Sequence, residues 1–151
     1  MSAIVGAFAR GRDPLPDVQA EDILGSMRAR GGLHRSAWNE RSAMLAVTRN
    51  GWETGADLAG PASVATDDRY VVASDASIYY RADLRRRLEA AGVIPPADEP
   101  AALILAAYRA WGEKCTDYLE GDFAFIVWDR VDKSVFCARD FAGKRPIFYA
   151  E

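Results

Sequence analysis

Few side chains in this sequence are of the types that carry covalent or metal chemistry, and their spacing narrows the choice. His34 is the sole imidazole, and Cys115 and Cys137 are the sole thiols. One cysteine near a helix end and one in a strand suggest neither a disulfide framework nor a Cys-x-x-Cys metal site. A zinc site built on one histidine would need carboxylates at ligand spacing, which are missing. Both thiols therefore read as packing residues, and His34 as a solvated side chain in a polar loop. The run Arg85-Arg86-Arg87 looks like a nucleic-acid patch, but Leu84 and Leu88 at i and i+4 bury one helix face and leave the charges in water. Ser2 is different. A small residue behind Met1 permits methionine removal, and a hydroxyl beside an α-amine of ordinary pKa about 7.7 to 8.0 is a feasible nucleophile and base.

The elements that must position such groups fit one domain, residues 1–151, half hydrophobic and 27% charged with a net charge of −3. That length buries a respectable core, and that charge gives no general pull toward nucleic acid or anionic membrane. No run approaches a membrane span, and the start lacks a basic segment followed by an apolar stretch and a cleavage site, so a cytoplasmic location is expected.

The apolar run from Ser2 to Ala9 reads as a buried strand that places the chain start inside the fold. Asp17 is expected to cap a helix to about Arg30, with Ala20, Ile23, Leu24 and Met27 on one face and Gly31-Gly32 as the stop. Ser42 to Thr48 is a strand, Asn50 to Pro61 a loop, and Ser63–Thr66 with Tyr70–Ser74 a hairpin. Helices follow over Ala82–Ala91 and from Asp98 to Trp111, the second carrying Pro100 in its first turn and Gly112 at its end. A short amphipathic segment runs to Tyr118. Strands then fall into two groups, 2–9 with 42–74 and 121–150, separated by helices.

The organising stretch runs from Leu119 to Ala150. Phe123, Phe125 and Val127 share one face of a strand and Ala124, Ile126 and Trp128 the other, so this strand must lie buried between two layers and not at an edge. A polar turn over Arg130–Lys133 makes a hairpin with Ser134–Ala138, and Pro146–Ala150 reads as a third strand. Gly-Asp-Phe-Ala-Phe-Ile-Val-Trp-Asp followed by Ala-Arg-Asp-Phe-Ala-Gly-Lys-Arg-Pro-Ile-Phe-Tyr resembles the closing part of the glutaminase domain of asparagine-synthetase-like enzymes, the class II glutamine amidotransferases. The resemblance extends over residues 2–150. It implies an α+β, Ntn-hydrolase-like αββα sandwich of two antiparallel sheets between helices.

The resemblance also assigns roles. Ser2 stands where the family has a cysteine that attacks the glutamine amide while its own α-amine acts as base. The family's Asn-Gly-Glu-Ile-Tyr-Asn motif falls on Asp75-Ala76-Ser77-Ile78-Tyr79-Tyr80. The oxyanion-donating asparagine is thus Asp75, the glycine is Ala76, and a substrate-binding glutamate is Ser77. Losing one oxyanion donor typically costs about 100- to 1000-fold in turnover. The family's acid for the substrate ammonium falls on Pro100, with Asp98 or Glu99 as substitutes if the loop shifts. Arg49 matches the arginine that clamps the α-carboxylate, and Arg30-Gly31-Gly32-Leu33 partly matches an Arg-Gly-Pro-Asp loop. Positions serving the core are kept: Ile4, Gly6, Ile78, Tyr79, Tyr108, Gly121, Phe123, Phe125, Arg139, Asp140, Gly143 and Pro146. Those carrying chemistry mostly are not.

The expectation is a glutaminase-inactive, structural domain of an ATP-dependent amide-forming system, as in the β-lactam synthetases and lasso-peptide macrolactam cyclases it resembles. Active glutamine hydrolysis by Ser2, supplying ammonia to a partner, is the alternative, and a small-molecule binding or regulatory module is a third. No Ser-Gly-Gly-x-Asp-Ser pyrophosphate loop is present, so no synthetase domain lies in this chain. ATP and Mg belong to a partner synthetase domain or subunit; neither a cofactor nor a metal is expected here. The chain stops after its last expected strand, as if the domain were truncated at its C-terminus. An exposed edge or apolar patch at Ile147–Tyr149, covered by a partner or by self-association, is expected from that.

Overall fold

The computed structural model describes residues 2–9, 14–15, 20–26, 34–53, 55 and 60–150. Its elements are β1 (Ala3–Phe8), α1 (Ala20–Ser26), β2 (His34–Glu40), β3 (Ala43–Arg49), β4 (Val64–Thr66), β5 (Tyr70–Ile78), α2 (Arg81–Ala90), α3 (Pro100–Trp111), β6 (Gly121–Asp129) and β7 (Ser134–Arg139). One antiparallel sheet has the order β1-β3-β2 and the other the order β4-β5-β6-β7.

Strand alternation sorts the core into two layers. On one face of the second sheet, Val72, Ala76, Ile78, Phe123, Phe125 and Val127 pack with Leu84 and Leu88 of α2 and Leu103, Ile104 and Ala107 of α3. On the other face, Val71, Ala73, Ile126 and Trp128 meet Ala43 and Leu45 of β3. Phe8 of β1 stacks on Trp128 with ring centroids 5.2 Å apart, which ties the sheets together. Every residue of β3 is buried, with α1 packed against it. The layers are therefore helix, sheet, sheet, helix: an α+β sandwich consistent with the Ntn-hydrolase-like fold.

The central hairpin, the burial of both faces of β6, and Pro100 in the first turn and Trp111 at the end of α3 agree with the sequence reading, but Glu99 and not Asp98 stands at the N-cap of α3, because Asp98 is paired with Arg85. Arg85 and Arg86 are paired with Asp98 and Asp83 at the surface, while Leu84 and Leu88 are buried. Cys115 is fully buried, which pushes its thiol up to about 12.

Five further expectations need correction. Pro146–Ala150 forms no strand: Pro146 has no N–H to give a ladder, and no described strand lies beside the segment. His34 is exposed as expected, but it begins β2 and does not lie in a loop. Cys137 is exposed on the edge strand β7 and is not a packing residue. The hairpin β4-β5 joins β6 and β7, not β1 and β3, because β5 is apolar on both faces and needs neighbours on each side. The Asn50–Pro61 loop contains a 3-10 turn at Gly51–Glu53. The ends of the first helix, at Asp17 and Arg30, lie outside the described residues, as do Met27 and the glycine stop. Phe148 and Tyr149 are 86% and 91% exposed, whereas Ile147 packs against the inter-sheet core. Among the described residues, no helix is long and apolar enough to cross a membrane.

Two backbone sites hold the motif strands in place. Gly121 has φ +146°, and a Cβ there would lie 2.1 Å from the Ser77 carbonyl oxygen, so glycine alone fits where β6 begins beside β5. Tyr80, between β5 and α2, is left-handed at φ 49°, ψ 41° and gives the helix no side-chain cap. A bulky exposed residue there is strained, whereas asparagine tolerates this conformation and caps helices. Tyr80→Asn is expected to raise stability by about 1 kcal/mol, read as a higher melting temperature; an unchanged or lower one would contradict the strain.

Candidate functional site

Ser2, just before β1, and Asp75 of β5 meet where the apolar layer between the sheets ends. Ala3 pairs with Thr48, so Ser2 lies level with the Arg49 end of β3. Val71 and Ala73 face the inter-sheet core, and Asp75 continues that face where the apolar layer ends. Ser2 is 8% exposed and Asp75 9%. Removing a carboxylate from water costs several kcal/mol unless it is paired and hydrogen-bonded.

Asp75 has both kinds of partner. Its Oδ1 accepts a hydrogen bond from the Ser2 hydroxyl. The same oxygen accepts Arg145 Nη1 at 2.9 Å, and Nη1 lies 3.3 Å from Ser2 Oγ. Three segments distant in sequence thus converge on one oxygen.

Arg145 is delivered by a preorganised turn. Buried Asp140 accepts from the backbone N–H of Phe123 at 3.2 Å, Lys144 at 3.2 Å and Arg145 at 3.4 Å. Burial alone would push this carboxyl up, but these backbone bonds win and hold it below the ordinary carboxylate range. Gly143 makes the turn at φ +66°, with its own N–H donating to the Asp140 carbonyl at 3.1 Å. Next along, Lys144 lies 3.2 Å from Asp122, which also accepts the Tyr79 hydroxyl at 3.1 Å.

Arg49 is 2% exposed and binds carbonyls: Nη1 donates to Gly60 at 3.1 Å and Nη2 to Ser74 at 3.3 Å. It therefore braces the 60s loop and the residue before Asp75 across the two sheets. Glu99 occupies the N-cap position of α3 without a side-chain cap bond, and its Cγ lies 3.6 Å from where a Gly60 Cβ would be. Asp98 is engaged with Arg85. Ser77 is half-buried on the Asp75 side of β5, while the Ala76 side chain points the opposite way, into the helix-side core. Arg30-Gly31-Gly32-Leu33 lies outside the described residues. The structure therefore joins Ser2 to Asp75, sets Arg49 one residue away, and adds Arg145. That arginine occupied an unassigned position of the Arg-Asp-x-x-Gly-x-x-Pro loop, and its only signal was a cation beside a proline in a tightly closed turn.

At Ser2 the two charged neighbours act in opposite senses, Arg145 as a donor beside Oγ and Asp75 as an acceptor. A carboxylate only accepts hydrogen bonds, so Asp75 can stabilise no oxyanion. An alkoxide forming beside it would be repelled by about 1 kcal/mol in water and about 4 at an effective dielectric of 20, for charges about 4 Å apart. Among the described residues, no group of three or more histidine, cysteine, aspartate or glutamate side chains could hold a metal ion.

A family model described as a glutamine amidotransferase domain matches residues 1–151. A Mycobacterium bovis protein, named provisionally as an asparagine synthetase (glutamine-hydrolyzing), is 40% identical over 84 residues, 55% of this chain and 13% of that protein. Asparagine synthetase (glutamine-hydrolyzing) 3 of Bacillus subtilis is 37% identical over 84 residues, 56% of this chain and 14% of the relative. Asparagine synthetase (glutamine-hydrolyzing) 2 of rice, Oryza sativa subsp. japonica, is 33% identical over 82 residues, 54% and 14% of the two lengths. The match thus spans only a small part of each relative.

The Asp140 turn generates a pH-dependent prediction. Its folded pKa is depressed, so its contribution is complete above the unfolded carboxyl pKa and is lost as pH falls through the folded value. Asp140→Asn is expected to cost about 2 kcal/mol near neutral pH. That difference should shrink below about pH 4. Urea unfolding of both proteins across pH checks it; a gap independent of pH would contradict the assignment.

Proposed function

This chain belongs to the glutamine amidotransferase domain family, as the N-terminal type of asparagine-synthetase-like proteins, and we propose that its glutaminase centre is silent and the domain structural. In this reading it supports an ATP-dependent amide-forming synthetase of the macrolactam, β-lactam or asparagine type. ATP and Mg would then be bound by a synthetase domain or subunit, with Phe148 and Tyr149 as apolar contacts for such a partner or a second copy.

The carrying observation is the Asp75 carboxylate, which accepts the Ser2 hydroxyl where a hydrolase needs a donor to the developing oxyanion. The sites that a glutamine substrate would use are also committed elsewhere, since Arg49 binds two carbonyls and Asp98 binds Arg85. What survives of the site is a set of contacts that hold β1, β5 and the 140s turn together. A domain in that condition contributes packing surface, and a synthetase whose amine comes from the substrate itself has no need of ammonia.

The test is ammonia and glutamate release from millimolar glutamine, on protein whose mass shows that Met1 is gone, with Ser2→Ala as control. No release is expected from either protein. Release that disappears in Ser2→Ala would make this a working serine-type glutaminase and overturn the reading.

A further inference from the structure

The convergence on Asp75 Oδ1 has an unused member. Arg145 Nη1 reaches both that oxygen and Ser2 Oγ, so a guanidinium already stands within hydrogen-bond distance of the atom that would carry charge. We infer that Arg145 is an anion-stabilising group at the nucleophile position, and that Asp75 keeps it engaged as a counter-ion. This rests on the reading of residue 2 as the nucleophile position.

The geometry carries the point in three steps. The backbone of Arg145 is fixed independently of Asp75, because its N–H is held by the buried Asp140 carboxylate and its turn is closed by Gly143. Losing the Asp75 charge would therefore leave the root of the side chain in place, with Ser2 Oγ still within its reach. The guanidinium is also a donor only, with five N–H groups and no acceptor. Finally, the contact to Ser2 Oγ is a donor contact to the reacting atom itself, which Asp75 by its chemistry cannot make. A neutral residue at position 75 would leave an anion at position 2 facing that cation without the Asp75 charge beside it. At the nucleophile itself the obstacle is one charge, which a single substitution removes.

A thiol at position 2 reports on this directly. In the Ser2→Cys variant, iodoacetamide reacts only with the thiolate: sulfur bonds to the methylene carbon, the carbon–iodine bond breaks, iodide leaves, and the thiol proton has gone to solvent. Alkylation of the residue-2 peptide is followed by mass across pH, separately from Cys115 and Cys137. Other charged or titratable groups facing the position, Arg49 with its register partner His34, Asp140, and Lys144 paired with Asp122, are the same in every variant.

Adding Asp75→Asn to Ser2→Cys is expected to raise the alkylation rate at about pH 7 roughly tenfold, as a thiol pKa lower by about one unit. Asp75→Ser, the alternative should the asparagine variant not fold, is expected to act likewise. Adding Arg145→Gln to either neutral variant should return the thiol pKa most of the way to that of Ser2→Cys alone. Equal thiol pKa with and without the Asp75 charge would overturn the inference. So would a neutral variant indifferent to Arg145→Gln. Ammonia release by the unaltered protein would instead sink the silent-site reading while leaving these thiol measurements to stand by themselves.

Discussion

A strand that is apolar on both faces is stable only with a layer packed on each side, and β6 is such a strand. Phe123, Phe125 and Val127 require the helices, while Ala124, Ile126 and Trp128 require the other sheet. Each fully buried side chain of this size contributes about 1.5 to 3 kcal/mol, so neither layer is dispensable. From that constraint follow the pairing of β5 with β6, the apolar layer between the sheets, and the position of Asp75 where that layer ends. The same strand receives the Asp140 turn, because Asp140 exchanges bonds with the Phe123 backbone in both directions, through its own N–H at 2.8 Å and its carboxylate at 3.2 Å. The site is thus an outgrowth of the core and needs no loop of its own to persist.

In the proposed reading, that coupling lets chemistry be lost while the fold stays. The residues around Ser2 sit where the two sheets and the 140s turn come together. There an acid and a base neutralise each other, with side chains 13% and 24% exposed. Such a pair is worth more than one in open water, where exposed ion pairs give about 0 to 1 kcal/mol. Arg49 completes the pattern by bonding carbonyls of both the 60s loop and β5.

Sequence legibility followed how local each determinant was. The hairpin β6-β7 and helix α3 could be read because their signals lie within them: two apolar faces and a polar turn in one case, an apolar stripe between Pro100 and Gly112 in the other. Strand β2 was not readable. His34–Glu40 is polar because it is an edge whose one described neighbour is β3, and such a strand needs little apolar content. Pro146–Ala150 failed for the opposite reason, since apolar composition makes a strand only where a ladder partner exists. Ser2 and Asp75 were found through a resemblance in motif order, and their contact is a property of the sandwich alone. Arg145 carried almost no signal, because its role depends on where the Asp140 turn points it.

The most direct measurement of the central claim is the coupling between Asp75 and Arg145 in stability. Urea unfolding of the unaltered protein, Asp75→Asn, Arg145→Gln and the double variant closes a thermodynamic cycle. A clasp that holds three segments predicts a coupling of about 1 to 3 kcal/mol, with the double variant less damaged than the sum of the singles. Additive effects, with coupling indistinguishable from zero, would mean that the two side chains are neighbours without being partners, and the account of this site would fall.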